Sequence, residues 1–178
     1  MKLINLKPTQ AAWLLLGGSV GLHFVVPAGY RGDFACPGCG AVTIGLGFGL
    51  MMWAWWLFRD SGTPIRPTDR ATFLVVSGAF RISRNPMYLG ILLMLAGVAI
   101  WVGSLPVMVA PLGFVILTSI VFIPYEEQQL RDAFGAEYEA YAKRVPKVAL
   151  IDVTTNKPVK LRRSPASPAS YRQSVRQP

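Results

Sequence analysis

The sequence lacks charge over most of its first 125 residues. No Asp, Glu, Lys or Arg occurs at residues 8–30, 34–58 or 85–125. Such gaps exclude an ordinary soluble surface along those segments. Histidine is limited to His23, and cysteine to Cys36 and Cys39. Two thiols and one distant imidazole leave a zinc site short of ligands, so no metal centre is expected. Haem attachment through Cys36-Pro37-Gly38-Cys39 is excluded because Gly40, not His, follows the second Cys. The basic residues lack interleaved aromatics beyond Tyr171, which argues against nucleic acid as a partner.

What remains is apolar and long. A spanning helix needs roughly 17–25 mostly apolar residues. The first two uncharged windows each hold one, and the third holds two, split by Gly103-Ser104-Leu105-Pro106 as a tight turn. The spans fall near 11–28, 41–58, 87–103 and 106–123. The expected fold is all-α: an integral membrane protein with about four transmembrane helices, a C-terminal amphipathic interfacial helix and a disordered basic tail.

Basic residues set the orientation. Lys2 and Lys7 precede the first span, and Arg59, Arg66, Arg70, Arg81 and Arg84 lie between the second and third. Ten more Lys or Arg follow Tyr125, whereas the first loop has only Arg31 and the 103–106 turn has none. The positive-inside rule puts both termini and the second loop in the cytoplasm. Val26-Pro27-Ala28 resembles a signal-peptide cleavage site, but cleavage there would leave three spans and break the charge symmetry. The chain divides into a two-span region (1–58), a second region with the hairpin and amphipathic helix (59–150), and a tail (151–178).

The net charge of +9 is concentrated in that tail, where Lys157, Lys160, Arg162, Arg163, Arg172 and Arg176 occur without an acid after Asn156. Rich in Ser, Pro and Ala, the tail reads as disordered and suited to membrane lipid or simple solvation. Cys36 and Cys39 admit a plain turn with incidental thiols, a structural disulfide or a redox site. His23 reads as a hydrogen-bonded packing residue. Gly45 with Gly49, and Gly17 with Gly21, make small-xxx-small faces suited to close helix packing. Trp53, Trp55 and Trp56 read as an interfacial belt.

Ser83-Arg84-Asn85-Pro86-Met87-Tyr88-Leu89-Gly90 carries the most information. Asn85-Pro86 is a helix start, and a membrane hairpin would return Glu126-Glu127 to the face that holds Arg84. Adjacent carboxylates at a membrane boundary need a compensating cation. A polar ligand of mixed charge would suit such a pocket. Leu130, Phe134, Tyr138, Tyr141 and Val145 form one apolar stripe, read as a surface helix covering the hairpin mouth. Pro124 is expected to bend the chain ahead of it.

Residues 58–148 resemble the isoprenylcysteine carboxyl methyltransferase and phospholipid methyltransferase family. The resemblance rests on Gly78-Ala79-Phe80-Arg81, Arg84-Asn85-Pro86-Met87-Tyr88-Leu89-Gly90, Glu126-Glu127-Gln128-Gln129-Leu130 and Phe134-Gly135-Ala136-Glu137-Tyr138-Glu139-Ala140-Tyr141 in order around a hairpin. It implies S-adenosylmethionine-dependent methyl transfer to a lipophilic or small-molecule acceptor at a membrane, as in a bacterial inner membrane. Cofactor contacts are implied at Arg84, Asn85, Tyr88, Gly90, Glu126 and Glu127, with Arg84 and Glu127 as catalytic residues. Prenylcysteine-active members generally carry His where Asn85 stands, and Asn does not titrate near neutral pH. The alternatives are a thiol S-methyltransferase, an NADPH-dependent sterol-type reductase and a non-enzymatic membrane module. Oligomeric state is not legible.

Overall fold

A computed structural model describes residues 7–30, 32, 34–60 and 74–146. The basic tail, Lys2, Arg31, Arg66 and Arg70 lie outside these residues. Among them the structure is helical and contains no strand: α1 (Pro8–Val25), α2 (Pro37–Asp60), α3 (Pro86–Val102), α4 (Leu105–Leu117), α5 (Ile123–Phe134) and α6 (Ala136–Ala142).

Among the described residues, two helices are long and apolar enough to cross a bilayer, α2 and the continuous helix Leu105–Phe134 that contains α4 and α5. The apolar α3 is shorter, at 17 residues. Large apolar side chains face outward, with Trp13 and Phe24 each 73% exposed and Ile120 70%. An outward apolar surface of this kind suits lipid rather than water.

Spatial order differs from chain order. The α3 helix lies between α2 and α4, and α1 packs on α4. The α2–α3 seam is built from glycines seven residues apart on each helix. A Cβ at Gly47 would stand 2.6 Å from the Gly90 carbonyl oxygen, and one at Gly40 would stand 2.7 Å from that of Gly97. Close backbone approach is how apolar helices gain packing without a hydrophobic driving force between them. The seam corrects the sequence expectation: Gly45, Gly49, Gly17 and Gly21 have open space where a Cβ would go. Small-xxx-small spacing marks where helices can approach, but side-chain fit on the neighbouring helix selects the face that does.

The α3–α4 turn forms as expected. Gly103 ends α3 in the left-handed region (φ 67°) and donates its N–H to the Ala99 carbonyl at 2.9 Å. A Cβ there would also lie 2.3 Å from the Ala35 backbone nitrogen, so only glycine fits on both counts. His23 Nδ1 lies 2.7 Å from the buried Ser104 Oγ, tying the end of α1 to this turn. Trp53 and Trp56 are exposed, and the Arg59 guanidinium lies 5.3 Å from the centre of the Trp55 ring.

The structure adds one feature to the C-terminal part and corrects one expectation about it. Helix runs on through Pro124. A π-turn over Thr118–Phe122, with the Ile123 N–H donating to the Thr118 carbonyl, precedes the proline and lets helix continue to Phe134. The apolar stripe is not one helix, because Gly135 (φ 52°) separates α5 from α6. Its residues nonetheless converge: Phe134, Tyr138 and Tyr141 pack with Leu74 and Val76, while Val75 turns the other way onto Ala54, Ala79 and Phe80. The short 74–76 segment therefore stitches α5 and α6 to α2.

Candidate functional site

The octet starts α3 as the sequence requires. Pro86 occupies the first turn, and the Asn85 carbonyl accepts the Leu89 N–H at 3.0 Å. Asn85 makes no side-chain cap, and its N–H donates instead to the Oγ of Ser83, which is fully buried. The Arg84 N–H donates to the Pro146 carbonyl at 2.9 Å, so the chain leaving α6 returns to the octet.

Side chains from the two ends of the hairpin meet. Arg84 Nη1 is 2.8 Å from Glu127 Oε1, with only 10% of the Arg84 side chain and 4% of the Glu127 side chain exposed. Arg131, one helical turn beyond Glu127, reaches the other carboxylate oxygen at 3.2 Å and also bonds Glu139 on α6 at 2.8 Å. Its guanidinium lies 5.8 Å from the centre of the Tyr138 ring. The Tyr138 hydroxyl is 3.5 Å from Arg84 Nη1, and the Tyr141 hydroxyl donates to the Phe80 carbonyl at 2.7 Å. Burial pushes both phenols above the usual tyrosine range, so each stays a neutral hydrogen-bonding group.

Glu126 faces a different partner. The Tyr88 hydroxyl donates to its Oε1, and the Tyr88 ring packs edge-on against Phe114 at 6.3 Å. The two adjacent carboxylates are thus divided, one to two arginines and the other to a phenol. The cation expected to offset their repulsion comes from the chain itself, as Arg84 and Arg131. Arg84 is not saturated by these contacts: its buried Nε has no hydrogen-bond partner among the described residues.

Of the six residues singled out in sequence, the structure joins Arg84 to Glu127 and Tyr88 to Glu126, with Asn85 beside them. Gly90 is accounted for differently, since it backs onto α2, where a Cβ would lie 2.7 Å from the Gly47 carbonyl oxygen. Arg131, Tyr138 and Glu139 were missed as members of this cluster. The i, i+4 spacing of Glu127 and Arg131 was a usable signal. The Arg131–Glu139 bond was not, because it spans the break at Gly135.

Known proteins give the same direction. Protein-S-isoprenylcysteine O-methyltransferase B of Arabidopsis thaliana is 36% identical over 80 residues, covering 41% of this chain and 37% of that protein. A probable protein-S-isoprenylcysteine O-methyltransferase of Oryza sativa subsp. indica is 39% identical over 79 residues, covering 40% and 38%. The chain therefore spans well under half the length of these curated relatives. No solved structure matches it. The phospholipid methyltransferase family matches residues 37–137, which extends the likeness seen in sequence back through α2 and its glycine seam. With more than half of its residues inside that match, the chain belongs to the phospholipid methyltransferase family.

Proposed function

We propose that this protein transfers a methyl group from S-adenosylmethionine to a lipophilic acceptor at the cytoplasmic face of a membrane. In this reading α1, α2, α3 and the helix beginning at Leu105 all span, and both termini are cytoplasmic, as the basic-residue bias requires. A bacterial inner membrane is the setting proposed for it.

The observation that carries the reading is the half-finished coordination of Arg84. A buried guanidinium with Nε unpartnered retains a donor for an incoming acceptor, and a carboxylate is the group it bonds best. S-adenosylmethionine offers such a carboxylate, together with an ammonium and ribose hydroxyls that suit a carboxylate acceptor. Arg84 would bind the amino-acid carboxylate. Glu126, oriented by Tyr88, would accept from the ammonium or ribose, and Asn85 lies within the same turn. Bound there, the cofactor supplies a methyl group activated on a sulfonium.

Glu127 serves this site at one remove. Held by Arg84 and Arg131, it orients the guanidinium rather than meeting the ligand itself. Burial of Tyr88 and Glu127 would limit water at the reacting end of the cofactor, and orientation there would supply most of the rate. Family membership favours methyl transfer over the NADPH-dependent reductase reading. The prenylcysteine acceptors named for the plant relatives make a lipophilic carboxylate the first acceptor to test. A lipid amine is the second, and a small thiol the third.

Calorimetry on the detergent-purified chain tests the cofactor assignment. S-adenosylmethionine should bind and NADPH should not; binding of NADPH alone would replace this reading with the reductase.

A further inference from the structure

We propose that Cys36–Cys39 is an exchange-competent disulfide that takes a dithiol as its substrate, at the end of the bundle opposite the Arg84–Glu127 pair. The two cysteines are joined in the structure. Their position is fixed by α3, which starts beside Arg84 and, about 25 Å away at 1.5 Å per residue, ends beside Cys36. There the Cys36 N–H donates to the Ile100 carbonyl at 3.1 Å. A role in the methyl-transfer site is therefore excluded by distance.

Three features separate this pair from a simple staple. The bond closes a loop with only two residues between the cysteines, the case in which a cross-link restricts the unfolded chain least. Cys39 is exposed and Cys36 half-buried, so a partner thiolate can reach the bond. Finally, Cys36 immediately precedes α2, and its Sγ accepts the Cys39 N–H at 3.4 Å. A first-turn N–H and the positive end of a helix both stabilise negative charge on that sulfur. The Cys36 carbonyl also accepts the Gly40 N–H at 2.8 Å, so backbone bonds on both sides hold Cys36.

The chemistry balances without a further reagent. A thiolate of the partner attacks the exposed Cys39 Sγ, the Cys39–Cys36 bond breaks, and Cys36 leaves as a thiolate capped by the Cys39 N–H. The partner's second thiolate then attacks its own sulfur in the mixed disulfide and expels the Cys39 thiolate. The partner is oxidised to a disulfide, and the pair gains two electrons and, after protonation, two protons.

The test uses the full chain in detergent micelles with dithiothreitol as the dithiol. Native protein should yield two alkylatable thiols within minutes at pH 7. After removal of the reductant, brief alkylation at pH 6.5 should label Cys36 on the order of tenfold faster than Cys39, scored by fragment mass spectrometry. A bond that opens only after denaturation overturns the proposal. So does equal or slower labelling of Cys36 in the reduced native chain.

Discussion

Arg84 Nη1 lies 2.8 Å from Glu127 Oε1, so a residue just before α3 is bonded to one in α5, across the whole α3–α4 hairpin. The pair closes the hairpin at its charged end. It also fixes the register of Glu126, the adjacent residue, against Tyr88. One ion pair thus sets both carboxylates.

Glu127→Gln leaves the Arg84 guanidinium buried beside a neutral amide, and removing one partner of a buried pair costs about 3–5 kcal/mol. Arg131→Gln removes a contact whose cationic side chain is 39% exposed and screened by solvent, and the expected loss is much the smaller of the two. Thermal unfolding in detergent should separate the two variants clearly. Equal losses would show that Glu127 is held by Arg131 rather than by Arg84.

Gly90→Ala pushes a methyl group against the α2 backbone at Gly47 and should destabilise by about 1–3 kcal/mol, as overpacking does. Gly45→Ala places its methyl in open space and should be close to neutral. Paired unfolding measurements check the seam. If Gly45→Ala is the damaging variant, the helix faces have been assigned the wrong way round.

Tyr88→Phe deletes the hydroxyl that donates to Glu126 while keeping the ring against Phe114. A hydrogen bond to a charged group contributes about 1.5–3 kcal/mol, so kcat/KM for the cofactor should fall roughly 10- to 100-fold. Unchanged kinetics would remove Glu126 from the site.

The buried tyrosines predict alkaline sensitivity. The folded chain holds the Tyr141 phenol above its unfolded value of about 10. Its stabilisation is complete below that pH and declines as pH rises past it, because the unfolded chain releases the proton first. Tyr141→Phe should be less stable at pH 7, having lost the bond to the Phe80 carbonyl, yet show a shallower decline above pH 10. Parallel slopes for the two proteins would contradict this assignment.

Helix starts, turns and the family were legible because each rests on local chemistry. Pro86, Gly103 and the uncharged run between Arg84 and Glu126 report their own structure. The packing partners were not legible. Gly40, Gly47, Gly90 and Gly97 look no different in sequence from Gly45 and Gly49, and only the fit of Ile44, Met51, Leu93 and Trp101 around them selects the seam. Charge pairing was half legible. The return of Glu127 to Arg84 follows from a hairpin, whereas the second arginine arrives through α5 and its link to Glu139 through the break at Gly135.

The central claim is that this cluster binds S-adenosylmethionine for methyl transfer. Its most direct test is incorporation of labelled methyl from S-adenosylmethionine into membrane extract, with wild-type protein compared against Glu126→Gln at matched thermal stability. The account predicts a labelled, organic-extractable product with wild-type protein and a large loss of it with the variant. No label above that of membranes without the protein, or equal label with both proteins, would contradict it.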